Sequence, residues 1–169
     1  MIRLDLGPRT IEALLPHREP LRLVETIEGF APGRAPRLRA TLPLTGQEPV
    51  LAGHFPERPI WPGVYVIEGL AQCGGLLMAL AAIHEHGGTE ALTRLEDPSL
   101  DMPALPRRDG ALARAHVDLM RPVIPPVTLR YEVRYVGTFG ALHKIDGHAS
   151  AGKLAIAEGS VSIALFGED

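Results

Sequence analysis

His54 and Glu68 are the two side chains of this 169-residue sequence best placed by type and setting to move protons. His54 sits in the run Gly53-His54-Phe55-Pro56, which reads as a loop. Glu68 follows fourteen residues later in the most apolar stretch of the chain, Val64 to Ile83, where Gln72 is the only other strongly polar side chain. An imidazole can be neutral and basic near pH 7. A carboxyl in an apolar helix is expected to have a raised pKa and to keep its proton, because burial disfavours the charged form. One group is therefore suited to take a proton and the other to give one, as general acid-base catalysis requires. Gln72 stands four residues after Glu68, on the same helical face, where it can orient the carboxyl. Each residue also has a plainer reading: His54 as a loop histidine in a structural hydrogen bond, and Glu68 as half of a buried ion pair with Arg58 or Arg121.

A helix has to carry Glu68 and Gln72, and both of its ends are marked. Pro62 and Gly63 suit a helix start, while His84, His86 and the Gly87-Gly88 pair suit an end, through the C-terminal dipole and a left-handed cap. The pattern predicts a helix over 64–83. Such a segment approaches the length of a membrane span, but Glu68 and Gln72 leave only Cys73 to Ile83 unbroken, the length of a buried core helix. Being apolar nearly all round, it must be enclosed by other structure. Period-two alternation supplies the cover. Leu38, Ala40 and Leu42 alternate with polar neighbours, as do Ala113, Ala115, Val117 and Leu119, and Leu129, Tyr131, Val133 and Tyr135. Further strands are expected over Val161 to Leu165, Leu21 to Phe30 and Ala141 to Ser150. The proline- and glycine-rich runs Ala31 to Pro36 and Gly87 to Gly110 read as loops. These elements imply one α+β domain over residues 1–169, a curved antiparallel sheet around a long central helix.

Composition narrows the function classes. At 46% hydrophobic residues the chain can bury one core, and a formal charge of −3 gives no overall basic field for nucleic acid. The single cysteine, Cys73, excludes an internal disulfide framework and fits a reducing, cytoplasmic setting. In an apolar helix, with no base near it in sequence, Cys73 reads as core packing rather than as a nucleophile. Met1 to Leu15 carries Arg3, Asp5, Arg9 and Glu12 among its apolar residues, so it lacks the core of an export signal. His84-Glu85-His86 offers two imidazoles, but residues two apart on a helix face different ways and a third ligand is missing, so no metal is expected.

The run Gly53-His54-Phe55-Pro56-Glu57-Arg58-Pro59-Ile60-Trp61-Pro62-Gly63-Val64-Tyr65-Val66-Ile67-Glu68 resembles the active-site signature of the bacterial 3-hydroxyacyl-acyl carrier protein dehydratases. That signature is a Gly-His-Phe-Pro loop followed by Pro-Gly-Val and a helix bearing Glu. Leu15-Pro16-His17-Arg18-Glu19-Pro20-Leu21 is similar to the family's N-terminal segment, and Arg121-Pro122-Val123-Ile124-Pro125 to the segment before a late strand. The resemblance implies a hotdog fold and a homodimer whose sites combine His of one subunit with Glu of the other. It also implies an acyl carrier protein as partner, in a homodimer or a higher oligomer of dimers; an acid-base pair of this kind needs no metal or redox cofactor, and the interrupted apolar run leaves no membrane span. In a dehydration, His54 would take the α-proton beside the thioester carbonyl and Glu68 would protonate the departing β-hydroxyl. The amides of Gly63 and Val64 at the helix start would meet the charge that develops on the thioester oxygen. Phe55, Trp61 and Tyr65 would stand near the mouth of an acyl tunnel. His17 is expected to hold a turn before the first strand and to stay outside the chemistry. Arg107, Arg108, Arg114 and Arg121 are candidates for a positive surface facing an acidic carrier.

The sequence departs from the family pattern in places. Trp61 and Tyr65 stand where smaller or unbranched apolar residues are usual, Pro126-Val127 replaces a common Gly-Asp turn, and the run Gly87 to Gly110 is long. Aromatic bulk reshapes a pocket and so its acyl preference, and an unusual chain, polyketide-like or aryl-polyene-like, is the expectation. Three rival functions share the fold. A hotdog thioesterase is opposed by the Gly-His-Phe-Pro element, and an isomerising dehydratase generally has Asp where Glu68 stands. A non-catalytic carrier-binding subunit is opposed by the presence of both His54 and Glu68.

Overall fold

The computed structural model describes residues 1–97, 99 and 110–166. In chain order the elements are β1 (Ile2–Leu6), α1 (Pro8–Leu14), β2 (Thr26–Ala31), β3 (Arg37–Leu44), a 3-10 turn (Pro49–Ala52), α2 (Gly63–Thr93), a second 3-10 turn (Arg94–Glu96), β4 (Gly110–Leu119), β5 (Val127–Phe139), β6 (Leu142–Ala151) and β7 (Leu154–Leu165). The strands form one open antiparallel sheet in the order β1-β2-β3-β5-β6-β7-β4, curved around α2 in a hotdog arrangement.

Strand β5 shows how the alternation works. Leu129, Tyr131 and Val133 point inward and are at most 3% exposed, while Arg130, Glu132 and Arg134 point out. The outward charges pair across strands, Arg39 with Glu132 at 3.0 Å and Arg134 with Asp146 at 2.6 Å. From the helix, Val66, Leu70, Cys73, Leu76, Leu77 and Leu80 are buried against this inner face. Each large apolar side chain so covered stabilises the fold by about 1.5–3 kcal/mol. Helix α2 is long and apolar enough to cross a membrane, yet its apolar surface is used against the sheet, as a core helix uses it. Gly69 sets the closest approach: a Cβ there would lie 2.5 Å from the Tyr131 hydroxyl.

The structure differs from the sequence expectation in four places. Helix α2 does not stop near Ile83 but runs to Thr93, and Gly88 (φ 64°, ψ −161°) marks a kink between two helical pieces rather than a final cap. Part of the expected 87–110 loop is therefore helix; residue 98 and residues 100–109 lie outside the described residues. Residues 21–25 precede β2 instead of belonging to it, because their polar groups bond to side chains: Arg22 donates to the Val24 carbonyl, and the Leu23 amide donates to Gln72. Strand β4 alternates as expected, yet it is exposed along nearly its whole length: Val117 is partly buried against the core, while Ala113, Ala115 and Leu119 stay exposed. Strand β1 and helix α1 were not expected from the sequence.

Candidate active site

Glu68 lies in the second turn of α2 with its side chain 30% exposed. The Nε2 atom of Gln72 donates to Glu68 Oε1 at 3.0 Å and to the Leu21 carbonyl at 2.7 Å, while Gln72 Oε1 accepts the Leu23 amide at 2.9 Å. Gln72 is itself 2% exposed, so one buried amide joins α2 to the segment before β2 and holds the carboxylate. The ion-pair partner of Glu68 is neither Arg58 nor Arg121 but His17, whose Nε2 is 3.3 Å from the same oxygen. Arg121 instead donates to the Ala155 carbonyl at 2.9 Å. His17 is thus not the holder of a turn; Arg18 does that, donating to the Leu15 and His17 carbonyls. Burial raises the Glu68 pKa, but the hydrogen bonds from His17 and Gln72 and the proximity of the His17 ring lower it, and the net direction is downward. This corrects the expected upward shift: hydrogen bonds to the charged form outweigh the burial.

His54 is held from the other side. Its Nδ1 lies 2.8 Å from the Ile60 carbonyl. A carbonyl only accepts, so Nδ1 carries the ring proton and Nε2 keeps a free lone pair, the tautomer a base needs. The loop closes on itself: the His54 amide donates to the Leu51 carbonyl, the Ile60 amide to the His54 carbonyl, and the Arg58 amide to the Phe55 carbonyl. Phe55 stacks on the imidazole with ring centroids 4.2 Å apart and is 52% exposed. Trp61 is buried, donates its backbone amide to Val123, and meets Tyr65 edge-on at 5.3 Å. The amides of Gly63 and Val64 belong to the first turn of α2, where no earlier carbonyl of the helix can take them. Gly63 packs against Leu119, whose Cδ1 would overlap a Cβ at that position; this contact sets the end of β4 beside the helix start. Among the described residues, no hydrogen bond or ion pair joins His54 to Glu68.

The remaining candidates are scattered. Cys73 is fully buried, and burial pushes its thiol pKa up, as suits a packing residue. His86 bonds through Nδ1 to the Ala82 carbonyl of its own helix. Among the described residues no three His, Cys, Asp or Glu side chains converge as a metal site. A cavity of about 860 Å³ lies at the far end of α2, lined by Phe30, Met78, His84, Tyr135 and His143 among others, and neither His54 nor Glu68 reaches it. Arg114 and Arg121 are exposed on β4 and just beyond it, while Arg107 and Arg108 lie outside the described residues.

Residues 15–98 match the family model of the FabA-like domain, a span that holds His17, His54, Glu68 and Gln72. The chain is 33% identical over 145 residues to 3-hydroxyacyl-[acyl-carrier-protein] dehydratase FabZ of Pseudoalteromonas translucida, covering 85% of this chain and 86% of that protein. This chain belongs to the FabZ family. The FabZ protein of Myxococcus xanthus is 34% identical over 166 residues, 98% of this chain and 94% of that one. Among solved structures, the dehydratase heterocomplex ApeI:P from Xenorhabdus doucetiae aligns with a TM-score of 0.65 over 94% of this chain and 91% of that one, at 17% identity. A hypothetical thioesterase from Streptococcus pneumoniae aligns at 0.54 over 84% and 85%, with 10% identity. At such identities the structures establish the hotdog fold alone. Dehydratase and thioesterase share it, so the membership in FabZ rests on sequence.

Proposed function

We propose that this chain is a 3-hydroxyacyl-[acyl-carrier-protein] dehydratase, a hydro-lyase that interconverts 3-hydroxyacyl and trans-2-enoyl thioesters. The observation that carries this reading is the bare Nε2 of His54, fixed as the acceptor by the Ile60 carbonyl on Nδ1. Nε2 takes the α-proton, the electrons of the C–H bond form the double bond, and the β-carbon–oxygen bond breaks. Glu68 gives its proton to that oxygen, which leaves as water; solvent then carries the proton from the imidazolium back to the carboxylate. This step needs the protonated carboxyl; cover of the exposed part of Glu68 by substrate and a second subunit would add burial, which acts against the hydrogen bonds that lower its pKa. The first-turn amides of Gly63 and Val64 face the charge on the thioester oxygen. No metal or redox cofactor takes part.

The site is completed in a homodimer, with His54 of one copy opposite Glu68 of the other. Strand β4 supports this. Ten residues long and exposed on both faces, it pairs with β7 on one side only, and such an edge is a template for another strand. Exposed Phe55, Val64, Leu119, Met120 and Ile124 belong to the His54 loop, the helix start, the end of β4 and the segment just after it, and a two-fold pairing would cover them in both copies at once. Arg114 and Arg121 receive the acidic carrier protein that brings the acyl chain, and the setting is the cytoplasm. Trp61 packed on Tyr65 at the helix start supports an acyl group other than a plain saturated chain; comparing turnover of short, long and aryl 3-hydroxyacyl thioesters tests this, and a preference for saturated fatty chains contradicts it. The function itself is tested by ultraviolet detection of enoyl thioester, with free thiol followed in parallel. Enoyl product without thiol release is expected. Thiol release without enoyl product would place the chain among the thioesterases.

A further inference from the structure

We infer that His17 is the positioning residue for Glu68, an imidazole that holds the carboxylate from the N-terminal segment and sets how readily it keeps a proton. The inference rests on the dehydratase reading above. His17 Nε2 and Glu68 Oε1 are 3.3 Å apart, and both side chains are 30% exposed. The other ring nitrogen, Nδ1, is buried and has no hydrogen-bond partner, so the carboxylate is the polar contact that the ring is placed to make. A merely structural histidine would be expected to satisfy the buried nitrogen first.

The segment that carries His17 is itself anchored without it. Arg18 bonds to the Leu15 and His17 carbonyls, and Gln72 binds both Leu21 and Leu23. Arg22, with its side chain 4% exposed, reaches Glu12 at 3.2 Å, Glu19 at 2.8 Å and Glu25 at 2.6 Å. These guanidinium groups are turned to carbonyls and to those acids. His17 is thus the one titratable side chain paired with Glu68 among the described residues, and Gln72 is the neutral donor beside it. A hydrogen bond to the charged form opposes the effect of burial. Without His17, burial acts on Glu68 against Gln72 alone, and the carboxyl keeps its proton to higher pH.

The test uses the whole 169-residue chain in whatever assembly it forms, with His17→Ala and His17→Gln. Two readouts are taken: carbon-13 NMR titration of the Glu68 carboxyl, assigned by its absence in Glu68→Gln, and the pH profiles of kcat and kcat/KM for enoyl formation. In His17→Ala the Glu68 titration and the alkaline limb of the profile should both move up. The kcat should fall by about 10²-fold, the scale of a misplaced catalytic group, with KM little changed. His17→Gln keeps an N–H donor and should show smaller effects of the same sign. Added to Glu68→Gln, His17→Ala should cost no further kcat, since the group it positions is gone. An unmoved Glu68 titration in the folded variants, or an equal loss of kcat in both backgrounds, would overturn the inference. Should His17→Ala fail to fold, His17→Gln carries the same readouts. If the wild type makes no enoyl product, the dehydratase reading fails while the titration still decides the role of His17.

Discussion

Around Glu68 the chain supplies its own partners: His17, Gln72 and, behind them, a segment tied down by Arg22 and Arg18. Around His54 it supplies a backbone carbonyl and little else, and Phe55 at 52% and Val64 at 66% exposure are left open to solvent. The same contrast separates two strands with the same alternation. In β5 the apolar positions are covered by α2, whereas in β4 most of them are left exposed, Val117 alone being partly buried on the core. The Glu68 carboxylate and the Gln72 amide find their partners within the chain, whereas the apolar side chains near His54 are left exposed, as a surface that meets another one would be.

The comparison can be broken at either half. The largest effect is expected at the two groups proposed to react: His54→Ala and Glu68→Gln should each slow enoyl formation by about 10²–10⁴-fold, measured in steady state. Next is the open half. Leu119→Asp, which puts a charge at the exposed end of β4, should weaken self-association by about tenfold or more in sedimentation and lower activity in step, because an unpaired charge in an interface costs well over 1 kcal/mol. Behind Glu68 and His17, substitutions that loosen the packing and ties of the Glu68 half should instead cost folding. Gly69→Ala meets the buried Tyr131 ring and should destabilise the fold by about 1–3 kcal/mol in denaturant titration. Gln72→Ala, which strands the Leu23 amide and the Leu21 carbonyl, should cost about 1–3 kcal/mol as well.

The smallest effect is the pH dependence of stability. The folded pKa of Glu68 is depressed below its ordinary value of 4.5, so its contribution is present above that value and is lost as pH falls through the folded pKa. The stability difference between wild type and Glu68→Gln, read by thermal melts, should therefore shrink on acidification below the ordinary carboxylate range. A difference that persists unchanged there would mean that His17 and Gln72 do not hold the ionised form.

Much of this was legible in the residues. The alternation over Leu38 to Leu42 and over Leu129 to Tyr135 marks strands because one face is buried and the other wet, and an apolar run opened by Pro62-Gly63 marks the helix. His54 and Glu68 stand out by motif and setting. The end of α2 did not, because Gly88 permits a kink as well as a cap and the chain resumes its helix beyond it. Strand β1 had a signal, Ile2, Leu4 and Leu6 around Arg3 and Asp5, but five residues are a short run on which to read a period. The uncovered face of β4 was hidden because alternation reports two different faces, not what covers them. The contact of His17 with Glu68 was hidden for another reason. The two residues are 51 apart in sequence, and only the fold brings the Leu15 to Glu25 segment against α2. Its direction mattered, since those hydrogen bonds reverse the pKa shift that an apolar neighbourhood alone suggests.

The most direct test mixes the two crippled proteins. His54→Ala and Glu68→Gln are refolded together so that subunits exchange, and enoyl formation is followed with free thiol in parallel. If each site takes His54 from one copy and Glu68 from the other, mixed dimers hold one intact site, and activity should return to about a quarter of wild type, from the half of the dimers that are mixed. Mixed dimers that form and stay inactive would contradict the shared site, and thiol release in place of enoyl product would contradict the dehydratase.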